Sequence, residues 1–183
     1  MKPLQTLIKN VTVVRPEADA SADGDRLDIG IKDGTVVRLE ADIPAEDAEE
    51  VIDGGGRIAF PGAVDGHQHW GIYNPLSEDT ETESRASAQG GVTTGLTYMR
   101  TGQYYLNEGG PYAEFFPKVL AASEGRSYID YAFHLAPMSK QHLTEIPAIV
   151  KDFGVTSFKI FMFYGSHGLH GRSSDQSQFL MIP

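Results

Sequence analysis

Ile58-Ala-Phe60-Pro-Gly-Ala-Val64-Asp65-Gly-His67-Gln-His69 is the stretch on which the reading of this chain turns. An apolar run leads into two histidines at i and i+2. Side chains two apart on an extended strand share a face, so both imidazoles can reach one metal ion. The apolar approach predicts a buried strand. Imidazole suits zinc and neighbouring transition metals, whereas a hard cation such as calcium asks for oxygen. The pair reads as half of a metal site or, on the plainer reading, as two hydrogen-bonded histidines. Asp65 shares the strand parity of both. It can orient one imidazole from behind, or close the strand entrance with a hydrogen bond.

A second signal lies in Val155-Thr-Ser-Phe-Lys159-Ile-Phe-Met-Phe-Tyr164. A lysine inside so apolar a run is disfavoured as an unpaired ammonium, and its pKa is expected to fall. It can pair with a carboxylate or snorkel to the surface. As a neutral amine it can also add carbon dioxide, giving a carbamate able to bridge two metal ions.

Pro61-Gly62-x-x-Asp65-x-His67-x-His69, followed by Gly90-Gly-Val-Thr-Thr94 and Ser157-Phe-Lys159-Ile-Phe-Met162, resembles the metal-dependent amidohydrolases. The nearest branch is the cyclic amidases: dihydropyrimidinases, hydantoinases and their relatives. The resemblance runs from about residue 7 to about residue 165, with the three motifs in the family's order and spacing. It implies that His67, His69 and a carboxylated Lys159 hold two divalent metal ions, most simply zinc, with carbon dioxide consumed in modifying the lysine. It further implies a hydroxide between the metals that attacks a ring amide of a dihydropyrimidine or hydantoin. Tyr164 matches a tyrosine that donates to the developing oxyanion in the hydantoinase branch.

Two departures bear on the substrate. Dihydroorotases carry an arginine two residues after the second histidine, where it binds a carboxylate, but Gly71 stands there. The acidic residue common nearby in hydantoinases is also missing, and Trp70, Ile72 and Tyr73 offer a bulky apolar substrate rim. A dihydropyrimidinase-like scaffold without catalysis, and an allantoinase- or dihydroorotase-type amidase, are the rival readings. Retention of His67, His69, Lys159 and Tyr164 argues against the scaffold.

With 183 residues, 40% hydrophobic and 22% charged, the chain can bury a core; it has no cysteine for a disulfide framework. A net charge of -10 argues against general nucleic-acid binding. Met1-Lys-Pro-Leu-Gln-Thr-Leu-Ile-Lys lacks the apolar core of a signal peptide, and no segment reaches the ~20 apolar residues of a membrane span. A cytoplasmic protein with no membrane partner is the default. The resemblance adds a small cyclic amide as substrate and a homo-oligomer for the whole enzyme.

Residues 1–60 read as strands of a small β-sandwich domain. Leu7–Val14 is a strand, and Asp33-Gly34 marks a two-residue hairpin between Leu27–Lys32 and Thr35–Leu39. Residues 61–183 switch to alternating strand and helix, the mark of a parallel sheet. Strands near 64–69, 92–99, 127–136 and 155–163 make four βα units, the amino-terminal half of a (β/α)8 TIM barrel. Thr80-Glu-Thr-Glu83 offers a capping box for the first helix. The stripes Tyr112, Phe115, Phe116, Val119, Leu120 and Leu143, Ile146, Ile149, Val150, Phe153 predict amphipathic helices, with Pro117 delaying or bending the first. His134 reads as a hydrogen-bonded rim histidine, and His167-Gly-Leu-His170 as part of a loop. The chain reads as the front part of a longer enzyme, inactive alone, because the remaining ligands and the catalytic aspartate would lie beyond it.

Overall fold

A computed structural model describes residues 2–14, 24–102 and 104–160. The chain divides into two units, Met1–Pro61 and Gly62–Pro183. The first holds β1 (Leu4–Val13), β2 (Asp25–Lys32), β3 (Thr35–Glu40), β4 (Ala48–Asp53) and β5 (Ile58–Ala59). They form one sheet in the order β3-β2-β1-β4, with β5 also paired to β1. The hairpin forms where the sequence places it: Asp33 and Gly34 both have positive φ, 49° and 71°, the pair a type I′ turn requires. Register slips between Ile8 and Val11 of β1, and Asn10 takes φ 57° inside the slip. Leu4, Leu7, Ile43 and Ala48 form this unit's buried cluster.

The second unit alternates as the pattern requires: β6 (Ala63–Gln68), α1 (Leu76–Gln89), β7 (Val92–Met99), α2 (Tyr112–Ser123), β8 (Asp130–Leu135) and α3 (Lys140–Phe153). The strands are parallel in the order β6-β7-β8. Beyond β8, Phe158 makes a parallel bridge to Leu135, and the Lys159 N–H donates to Leu135 O at 3.0 Å. That bridge is what the described residues contain of the strand expected at 155–163; residues 161–163 lie outside them.

The sheet is curled. Alternate strands of a flat sheet stand about 9.6 Å apart, beyond the reach of an imidazole, yet His134 Nε2 on β8 meets Gly66 O on β6 at 3.0 Å, across β7. Helices pack on the convex side, where Tyr112, Phe115, Phe116 and Val119 of α2 are each at most 1% exposed against a core that includes Met99, Phe133, Leu135 and Ile149. Edge-to-face ring pairs link Phe116 to Phe133 and to Phe153.

Three expectations change. The first helix starts at Leu76 behind Pro75, so Thr80 is no cap: it is buried mid-helix and donates to Leu76 O at 2.7 Å. The regular part of α2 begins before Pro117 and runs through it. Strand β6 is not buried. It is the edge of the described sheet, and Val64 is 66% exposed.

Candidate metal centre

Curling brings the carboxyl ends of the strands together, which is where barrel chemistry is built. His67 lies on β6 and His69 immediately follows it. Their Nε2 atoms are 3.0 Å apart and the ring centroids 4.9 Å. Lys159, 92 residues later, brings Nζ to 3.2 Å from His67 Nε2 and 3.4 Å from Nδ1. Near-equal distances mean the amine is not aligned with a single lone pair. Its pKa is lowered by desolvation, which favours the neutral amine. Lys159 Nζ also stands 5.7 Å from the centroid of Tyr98, whose ring packs edge-on against His69.

Backbone geometry around the pair is fixed by Asp65. Its Oδ1 accepts the His67 N–H at 3.0 Å and its Oδ2 accepts Gln68 Nε2 at 3.2 Å. The two bonds, the His67 N–H first, hold the carboxyl below its usual range. Asp65 thus braces the turn of chain between the histidines. The strand-closing bond, one of the two roles foreseen, is formed.

The sequence reading missed Tyr105. Its hydroxyl lies 3.3 Å from His69 Nδ1, its ring is 3% exposed and edge-on to Tyr98, and the Arg100 guanidinium carbon stands 5.6 Å from its centroid. Tyr105 is delivered by a strained turn: Tyr104, Tyr105, Leu106 and Asn107 have φ of 66°, 50°, 57° and 53°. Left-handed backbone costs an L residue about 1–2 kcal/mol each, less for asparagine. Closure comes from Tyr104 N to Asn107 Oδ1, Asn107 N to Tyr104 O, and Tyr105 N to Gly71 O at 2.8 Å. The available signal was position: this loop follows the carboxyl end of β7.

Gly71 explains one departure from the dihydroorotase pattern. It sits at φ 81°, where a Cβ would lie 3.1 Å from Leu76 Cβ, and its N–H donates to Asp79 Oδ2 at 2.7 Å. Any side chain there, arginine included, would be strained by the positive φ and would press on Leu76. Trp70 is 1% exposed, with its backbone N–H donated to Thr97 Oγ1 and its ring against Tyr131. It belongs to the core and not to a substrate rim; Tyr73 is 90% exposed. His134 is a bonded rim histidine, meeting Ser157 Oγ and Gly66 O. Tyr164, His167 and His170 lie outside the described residues.

Comparison with known proteins supplies the family. No family model matches the chain. It is 35% identical over 166 residues to a D-hydantoinase of Ralstonia pickettii, covering 88% of this chain and 34% of that one. A D-phenylhydantoinase of Escherichia coli is 33% identical with the same coverage. The fold superposes on dihydropyrimidinase from Brevibacillus agri with TM-score 0.71 and 27% identity, over 96% of this chain and 36% of that one. This chain is a homologue of the hydantoinases and dihydropyrimidinases. It spans about a third of the length of the curated relatives it matches. Its fold is the matching part of theirs, strands of a small β-sandwich and the first part of a (β/α)8 barrel in the amidohydrolase superfamily. Atrazine chlorohydrolase from Arthrobacter aurescens shares that fold at TM-score 0.62 and 15% identity.

The donors in this hydantoinase homologue suit a metal ion. Two nitrogens about 2.0 Å from one tetrahedral zinc stand about 3.3 Å apart; the two Nε2 atoms are at 3.0 Å. Among the described residues no three His, Cys, Asp or Glu side chains form a ligand group. The third member of the cluster is a lysine, which ligates only once its charge is removed. Among the described residues no helix is long and apolar enough to cross a membrane.

Proposed function

We infer that the protein carrying this chain is a metal-dependent hydrolase that opens cyclic amides of the dihydropyrimidine or hydantoin type. The observation that supports this most is the convergence of Lys159 Nζ on His67 at 3.2 Å, across 92 residues of sequence, in a homologue of hydantoinases. His67 and His69 would hold a divalent ion, most simply zinc. The neutral Lys159 amine would add to carbon dioxide, forming an N–C bond as one C=O π bond breaks onto oxygen and the nitrogen gives a proton to water, and the resulting carbamate would give the cluster its anion. A metal held there would supply an activated water and polarise the ring carbonyl. Asp65 holds the backbone between the ligands, and Tyr164 donates a hydrogen bond to the carbonyl oxygen as charge develops there.

Lys159→Ala should abolish hydrolysis of dihydrouracil and hydantoin by the full-length enzyme. Added short carboxylic acids, which can take the place of the carbamate, should restore part of it. Undiminished turnover in Lys159→Ala would overturn the assignment.

A further inference from the structure

We propose that Tyr105 is a positioning residue for His69, its hydroxyl oxygen accepting the Nδ1 proton and so leaving Nε2 bare toward His67. This rests on the metal-site reading above. A neutral imidazole carries one proton, and the nitrogen that binds a cation must be the other one. A histidine ligand is commonly fixed in the right tautomer by a partner on its far nitrogen. The described bonds of Asp65 go to the His67 N–H and to Gln68. Tyr105 stands on the far nitrogen, 3.3 Å from Nδ1, while Nε2 faces His67 at 3.0 Å.

The scaffold around Tyr105 is built to hold it there. Four consecutive left-handed residues carry it, its N–H is fixed to Gly71 O, and its ring lies between Tyr98 and the buried Arg100. Gly71 follows His69 by two residues. The same tyrosine therefore ties the backbone after the ligand and the ligand's own ring. Strain concentrated at such a place is what a positioning device shows.

The test compares wild type, Tyr105→Phe and Tyr104→Phe in the full-length chain. Tyr105→Phe keeps the buried ring and removes only the hydroxyl; circular dichroism and thermal melting confirm that each variant folds. In metal-free protein, ¹⁵N-detected imidazole spectra should show His69 with its proton on Nδ1 in wild type and Tyr104→Phe, shifting to a tautomer mixture in Tyr105→Phe. Zinc affinity, read by chelator competition, should fall roughly 10- to 100-fold in Tyr105→Phe alone. Zinc bound by wild type and equally well by Tyr105→Phe, with an unchanged His69 tautomer, overturns the role of Tyr105 and leaves the metal site standing. A wild type that binds no zinc overturns both.

Discussion

The two units treat polar groups inside their sheets in opposite ways. In the first unit, Asp28 is 4% exposed, and its carboxylate accepts the N–H groups of Asn10 and Ile43 and pairs with Lys9 at 3.0 Å. Burial alone would raise its pKa; the Ile43 and Asn10 N–H groups and Lys9 outweigh it and hold the carboxyl below its usual value. Negative charge meets positive, and the slip in β1 is locked. In the second unit, three side-chain nitrogen bases face one another: His67 and His69 at 3.0 Å, and Lys159 and His67 at 3.2 Å. Three nitrogen bases brought together offer lone pairs toward one point once their protons are placed elsewhere. They make sense as donors to a cation. One cluster closes a fold; the other, on the proposed reading, is held ready for chemistry.

The contrast predicts a double dissociation. His67→Ala should remove at least one equivalent of zinc from the full-length protein, read by elemental analysis and calorimetric titration. Its unfolding free energy should stay within about 0.5 kcal/mol of wild type, because the ring is exposed. Asp28→Ala should do the reverse. It strands two buried backbone donors and removes one of the two carboxylates beside Lys9, costing about 3 kcal/mol in urea unfolding, with zinc affinity unchanged. If both variants lose metal and stability together, the two clusters are not distinct in kind.

Acid should act on the closed cluster by a stated sign. Asp28 has a folded pKa below its ordinary 3.8, so its contribution is complete above that value and disappears as pH falls through the folded one. Carbon-13 titration of the Asp28 carboxyl should give a midpoint under 3.8, and Asp28→Asn should flatten the acid limb of the stability curve. A midpoint at or above the ordinary value would remove Asp28 from its place as the locked anion.

How far the sequence revealed this depends on the range of each signal. Local chemistry was legible: Asp33-Gly34 makes its turn because both residues tolerate positive φ, and Gly154 ends α3 at φ 67° as a left-handed cap. Strand periodicity and the histidine pair were legible for the same reason. Signals that depend on neighbours were not. Thr80-Glu83 looks like a cap, but the hydroxyl of Thr80 finds Leu76 O within its own helix. Trp70 looks like a rim residue, but it follows the histidines over the end of β7 into the core, where Thr97 takes its N–H. Tyr105 carries no motif at all; only the curl of the sheet and a left-handed turn bring it to His69.

The smallest effect concerns a histidine that belongs to the closed class although it lies in the second unit. His142 is 5% exposed; its Nδ1 accepts the Met138 N–H at 2.8 Å and its Nε2 donates to Gly110 O at 3.0 Å. Ser139 caps α3 by accepting the His142 N–H at 3.3 Å. The serine and the histidine three residues later thus satisfy backbone donors reciprocally, in the manner of a capping box. By contrast, α1 and α2 start behind Pro75 and Pro111 with no side-chain cap. Ser139→Ala should cost about 0.5–1 kcal/mol, at the low end for a cap because the bond is long and His142 still holds Met138. Ser139→Asp should recover that loss, since the first turn of α3 carries no acidic residue to meet the helix dipole. Neither substitution should change zinc affinity. Thermal melting and chelator competition on the same samples decide it: a zinc affinity that follows the cap would mean that the closed histidine and the ligand pair are coupled, and the division drawn between the two kinds of cluster would fail within one unit.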